Sequence, residues 1–283
     1  MKEIDVKHVI EQIEQISAEE AEQYIESLEE EVLQESGVWF TPNHELEIYL
    51  YAYYVTKDPY QISGVPFHLF YATLAKKWLA EGVTEENVEG KTAQPKSKND
   101  AVKDTAECGQ KAIQAYTAAL KYNPVDVEIL SEVAALYRTQ KNWESMLGTA
   151  QRMYPYIFTR KDMAVYYRFL GTYYLETFQP ELSEKVYAYS RFFYQSEQAD
   201  ADIHYLEEAL DRPMEELMPQ ELQVELEKKG IPVQPKNETL GMLYHTAKNC
   251  LEQGKNEYAK QLLTCLYQLT QDKEVENMLR ELM

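Results

Sequence analysis

The sequence predicts an all-α chain built from antiparallel helix hairpins, and three observations carry the prediction. Strand signals are nearly absent. Helix start and stop signals recur at short intervals. A small residue set among large apolar ones returns at one spacing in four places. Composition agrees: 45% of the 283 residues are hydrophobic and 27% charged, with only 10 glycines and 11 prolines. That is the profile of a helix-rich folded chain rather than a disordered one, and the length suits either two domains or one extended array.

The elements follow in order. Val6, Val9, Ile10, Ile13 and Ile16 form an apolar stripe at helical spacing. Ser17 followed by Glu20 makes a capping box, and Tyr24, Ile25, Leu28, Val32 and Leu33 continue a second stripe until Gly37 supplies a stop. The first 36 residues therefore predict a helical hairpin whose acidic outer faces are solvated. "FTPNHELEIYLYAYYVTKDP" predicts a short aromatic helix between Pro42 and Pro59. "PFHLFYATLAKKWLAEG" predicts another, begun at Pro66 and ended by Gly82. The stretch that follows, at about residues 83–99, is polar, has no apolar period and contains Pro95, which predicts a mobile surface insertion. A second irregular stretch, "KKGIPVQPKNET", runs from Lys228 to Thr239. The expected organisation is an N-terminal helical region over residues 1–65 and a repeat domain over 66–283.

The recurring unit is clearest in "YRFLGTYY", with Tyr167, Leu170, Gly171 and Tyr174. "LSEVAALY" repeats the spacing with Leu130, Val133, Ala134 and Tyr137, and "YATLAKKW" with Tyr71, Leu74, Ala75 and Trp78. "LYHTAKNC" repeats it with Leu243, Ala247 and Cys250, although Thr246 stands where Leu is expected. Second halves appear as Ala112, Tyr116 and Pro124, and as Ala259 and Leu263 after Gly254. This pattern resembles the tetratricopeptide repeat, a helix–turn–helix unit of about 34 residues. The resemblance covers about residues 66–283 with degenerate units; the polar insertion lengthens one interval, and "ADADIHYLEEALDRPMEELMPQELQVELEKKG" fills the place of a degenerate repeat. It implies a right-handed superhelical array (a TPR-like solenoid) preceded by an N-terminal helical extension. Small residues at Ala75, Ala134, Gly171 and Ala247 would let paired helices approach closely, while Tyr71, Leu130, Tyr167 and Leu243 fill the gap to the next unit. The 23 tyrosines read first as packing residues whose hydroxyls reach water or a backbone carbonyl. Those off the stripe, Tyr166, Tyr173 and Tyr244, read as contact candidates.

No catalytic constellation is visible. None of the five histidines has Glu three residues before it, no Cys-x2-Cys or His-x3-His pair exists, and no phosphate loop appears. The expectation is a protein without cofactor, metal or enzymatic activity. The formal charge of −20 disfavours nucleic acid and anionic membrane surfaces as partners. The N-terminal stretch has no apolar run of the secretory type, and the three cysteines show no framework spacing, which together point to the cytoplasm.

In the repeat family the resemblance places a concave groove along first-helix residues off the packing stripe. Here these are Ala72, Lys76 and Leu79, then Ser131, Ala135 and Arg138, then Arg168, Thr172 and Leu175, and last Tyr244, Lys248 and Leu251. Four of the twelve are basic and none is acidic. Lys76, Arg138, Arg168, Thr172, Tyr244 and Lys248 are accordingly the candidate binding residues for a protein or peptide with an acidic or carboxylate-ended segment. The alternative is that these cations pair with acidic neighbours such as Glu128, Glu176 and Glu252. The leading functional expectation is a non-enzymatic scaffold or adaptor. A second is an intracellular peptide sensor that regulates a partner without a DNA-binding domain of its own, since residues 1–65 lack a basic recognition helix. An enzyme with a dispersed site is a third reading, which no motif supports.

Overall fold

A computed structural model of the chain describes residues 5–36, 67–84, 98–215 and 217–282. Thirteen α-helices and one short 3-10 turn make up the described residues, which contain no strand. The protein is all-α. The described residues fall into two compact units, those up to Ile129 and those from Leu130 onward. The predicted aromatic helix between Pro42 and Pro59 lies outside the described residues, as does most of the polar stretch before residue 98.

The first unit contains α1 (Val6–Gln15), α2 (Ala18–Ser36), α3 (Phe67–Thr84) and α4 (Lys98–Tyr122). The capping box forms as the sequence requires: the Ser17 amide donates to Glu20 at 2.9 Å, and the Glu20 amide donates to Ser17 Oγ at 3.3 Å. Val9 and Ile13 of α1 and Ala21 and Ile25 of α2 bury against α3, which pairs along its length with α4. The acidic face of α2 is only partly a solvated one. Glu29 accepts hydrogen bonds from the hydroxyls of both Tyr71, at 2.8 Å, and Tyr122. Glu22 meets Lys111 at 3.2 Å, and Lys111 also lies over the Trp78 ring.

Gly82 does not end its helix. It lies in the last turn of α3, and a Cβ there would sit 2.9 Å from Cβ of Cys108 on α4. Its smallness serves helix contact, the role the sequence reading gave to Ala75. His68, in the first turn of α3, is 1% exposed, and neither ring nitrogen has a hydrogen-bond partner in the structure. Burial pushes its pKa down to about 4.

The second unit continues with α5 (Val127–Thr139), whose residues from Leu130 belong here, and α6 (Trp143–Met153). A turn at Tyr154–Tyr156 leads to α7 (Arg160–Glu176), α8 (Pro180–Phe193), α9 (Glu197–Leu210) and α10 (Pro219–Lys228). The chain ends with α11 (Asn237–Glu252), α12 (Asn256–Thr270) and α13 (Lys273–Glu281). Helices α7 and α8 pair closely, as do α11 and α12; α8 also packs on α9 and α10, and α13 on α12. All four small residues of the recurring pattern are buried, and so are all four of their large partners. At Gly171 the face of the Tyr187 ring covers the backbone, three ring atoms lying 2.9–3.0 Å from where a Cβ would be. Ser183 Oγ donates to the Gly171 carbonyl at 2.8 Å, fixing α8 to α7 at that point.

The irregular stretch after α10 is held by tyrosines. Tyr167 donates to the carbonyl of Pro232 at 2.6 Å, Tyr189 to that of Val233 at 2.6 Å, and Tyr154 to that of Gln234 at 2.7 Å. Three successive carbonyls outside any helix thus obtain donors from one aromatic cluster, in which Tyr154 stacks on Tyr166 and Tyr167 meets Tyr189 edge-on. Tyr166, expected to be a contact residue, is 3% exposed and belongs to this core.

Two predictions follow from the packing. Gly171→Leu should lower stability by more than ~2 kcal/mol, because Tyr187 is itself buried and cannot yield, an overpacking cost that exceeds the gain of about 1 kcal/mol from better helix propensity; denaturant unfolding measures it. His68 titrates near 6.5 when unfolded and near 4 when folded, so the unfolded chain binds the proton first as pH falls. Its contribution is fully present above pH 6.5 and declines toward pH 4, by roughly 3 kcal/mol in all. His68→Leu should therefore flatten the fall of Tm over that interval relative to wild type, with no comparable change above pH 7.

Candidate functional site

The second unit carries a cleft of about 580 Å³ whose walls come from α5, α7 and α9. Ser131, Ala135 and Arg138 line it from α5, and Arg168 and Thr172 from α7, all of them positions expected for the groove. Leu175 does not line it; Glu176, one residue on, does. Phe169, Val165 and Trp143 supply apolar surface, and Gln198 and Tyr205 come from α9.

The two arginines share one acid. Asp202 on α9 is 2% exposed; its Oδ1 accepts from Arg138 Nη2 at 2.5 Å and its Oδ2 from Arg168 Nε at 2.7 Å. Gln198 Nε2 adds a third donor at 3.3 Å. Burial works against the charge on Arg138, but the Asp202 hydrogen bond and its negative charge outweigh that and raise the pKa. Beneath the pair, Thr172 is buried, bonded through its hydroxyl to the Arg168 carbonyl at 3.0 Å and to the Tyr187 hydroxyl at 2.8 Å. Burial pushes the Tyr187 hydroxyl up to about 12, so it stays protonated. At the rim Tyr205 donates to Glu176 at 3.0 Å, while Lys141 is exposed and makes no ion pair with any described residue.

Asp202 carries two of the cleft's three cations, and the sequence reading passed over it. The signal was present. Ala199, Asp202, Ile203 and Leu206 are the buried residues of α9 and lie on one helical stripe. A carboxylate set in an apolar stripe requires a cationic partner.

The remaining candidates lie elsewhere. Lys76 belongs to the first unit, is well exposed and reaches Glu128 at 3.6 Å, the pairing that the alternative reading named. Tyr244 and Lys248 on α11 do not line the cleft. The Tyr244 hydroxyl donates to Glu274 on α13 at 2.7 Å, and Lys248 Nζ sits 4.6 Å from the Tyr244 ring centroid. The structure thus brings together Arg138, Arg168 and Thr172 and leaves the other three outside that cluster. Tyr173, partly exposed, bonds Glu144 at 3.0 Å.

Among the described residues no three His, Cys, Asp or Glu side chains are grouped to hold a metal ion, and no helix is long and apolar enough to cross a membrane. No family model matches the chain, and comparison with curated proteins returned no match.

Removing Asp202 would leave two guanidinium groups facing each other without their shared anion. Asp202→Ala should cost about 3–5 kcal/mol, the range for one partner taken from a buried ion pair. Urea unfolding measures it, and added salt should recover little of the loss because the pair is shielded from solvent.

Proposed function

We propose that this chain is a tetratricopeptide-like scaffold and that the α5–α7–α9 cleft of its second unit holds a peptide segment of a partner protein. The observation that carries the reading is that five positions assigned to the groove from the repeat register, Ser131, Ala135, Arg138, Arg168 and Thr172, line one cleft. The cleft's composition suits a peptide. Phe169, Val165 and Trp143 offer apolar contact, Gln198 and Ser131 offer hydrogen bonds, and Lys141 offers a cation. Helix pairs with buried small residues at the crossing, such as Gly171 against Tyr187, agree with the repeat family.

The ion triad refines the electrostatic part. Arg138 and Arg168 together with Asp202 amount to a single positive charge, so the cleft attracts an acidic segment less strongly than two free arginines would. Lys141 is then the cation best placed for a carboxylate, with Arg138 contributing through the part of its side chain that remains exposed.

Reversing Arg138 and Arg168 would gather three carboxylates at one buried spot and unfold the cleft, so the test has to leave them intact. Ala135 lines the cleft and is only partly buried. Ala135→Trp fills the space without touching Asp202. Proteins retained by the immobilised wild-type chain should be lost, at least tenfold by quantitative mass spectrometry, on the Ala135→Trp chain of equal helicity. Equal retention by the two chains would overturn the cleft as the binding site.

A further inference from the structure

We propose a second docking surface in the same unit, separate from the cleft, that takes a short acidic peptide segment containing an aromatic or aliphatic residue. It is a shallow depression of about 600 Å³ where the start of α7 meets the end of α8. Its charged lining residues are Arg160, Lys161 and Arg191, with no acid among the lining residues. On a chain of charge −20 this is a local reversal of sign.

The three cations differ in what the fold asks of them. Arg160 closes the end of α8: its Nε donates to the Phe193 carbonyl at 3.0 Å, and its Nη2 donates to that of Phe192. Lys161 and Arg191 are exposed and form no ion pair with any described residue. Lys161 also stands in the first turn of α7, where the helix dipole disfavours a cation. Folding therefore gives no account of its charge. Beside these cations lie two large aromatic side chains left in solvent, Phe192 at 37% exposure and Tyr194 at 47%. Exposed rings beside free cations are what recognition of an acidic segment with an apolar anchor requires: the rings supply desolvated contact area, and the cations orient the carboxylates.

Among anionic partners the peptide is favoured. A nucleic-acid strand needs a track of cations along its backbone, whereas only two are free here and the rest of the chain repels a long polyanion. An anionic bilayer would meet the same repulsion over a wider face. A short peptide touches the depression alone, and the depression has the size of a small-ligand site, about 300–1,000 Å³.

The test uses the full chain and a labelled, C-terminally amidated peptide, Asp-Glu-Phe-Glu-Asp-Phe-Glu-Glu, in fluorescence anisotropy. Wild type should bind it, more weakly as salt rises, and should bind the analogue with Ser in place of Phe at least tenfold more weakly. Lys161→Glu with Arg191→Glu should reduce affinity at least tenfold with helicity unchanged, and the neutral pair Lys161→Gln with Arg191→Gln should fall between. Ala135→Trp in the cleft should bind as wild type does, which separates this surface from the proposed groove. Absence of wild-type binding, full binding by the charge-reversed chain, loss of binding in Ala135→Trp, or tighter binding of an eight-nucleotide thymidine strand would each overturn the proposal.

Discussion

The second unit turns on one carboxylate. Asp202 sits almost without solvent on α9 and reaches Arg138 on α5 and Arg168 on α7 at once. Three helices far apart in sequence are thereby tied at a single point, with both carboxylate oxygens committed. Such a cluster adds little net stability, because removing the charges from water offsets most of their attraction. What it supplies is geometry. Arg168 and Arg138 are each held to Asp202 through a guanidinium nitrogen, and the cleft wall they form is oriented by that acid. Thr172 and Tyr187 extend the same polar thread inward to the place where α8 lies on Gly171.

A second constraint is the hydrogen bonding of backbone that is not helical. The stretch between α10 and α11 contains Pro232 and Pro235, which have no amide to donate, and its carbonyls cannot be satisfied by a regular ladder. Tyrosine answers this need, because its ring fills the core while its hydroxyl reaches out to an acceptor. Tyr167, Tyr189 and Tyr154 do so for three consecutive carbonyls, and Tyr71 and Tyr122 do the same toward Glu29 in the first unit. The abundance of tyrosine is thus in good part structural, and a phenylalanine at these positions would keep the packing and lose the tie.

How far the sequence could be read depends on how local each signal is. The capping box at Ser17 and Glu20 and the buried small–large pairs are set by neighbours within one or two turns, and these were legible. Gly82 was misread because a glycine near a helix end has two uses, as a stop and as a contact; the deciding fact, Cys108 of α4 against its Cα, is not local. Tyr166 lies beside the packing stripe in a helix that is covered on more than one side, so position on the stripe did not predict its exposure. Three of the six candidate site residues, Arg138, Arg168 and Thr172, gather in one place because α5 and α7 both face the same cleft. The charge state of that place was not legible, because Asp202 comes from a segment without the recurring small–large pattern, and no spacing rule points from α9 back to Arg138.

The two basic spots of the second unit differ in one physical respect, which bears on how a strongly acidic chain would select partners. In the cleft, two of the three cationic side chains, Arg138 and Arg168, are held by the internal acid Asp202, and only Lys141 is left without one. At the α7–α8 edge, Lys161 and Arg191 are exposed and form no ion pair with any described residue. A fixed, half-neutralised arginine pair favours shape and hydrogen-bond fit over charge, since an entering carboxylate must compete with Asp202 for the same donors. Free surface cations favour charge and fast encounter over fit, and their attraction is screened within about 8–10 Å at ordinary salt. On a chain of net charge −20, both spots gain contrast from their surroundings, so even a modest local attraction favours an acidic segment there.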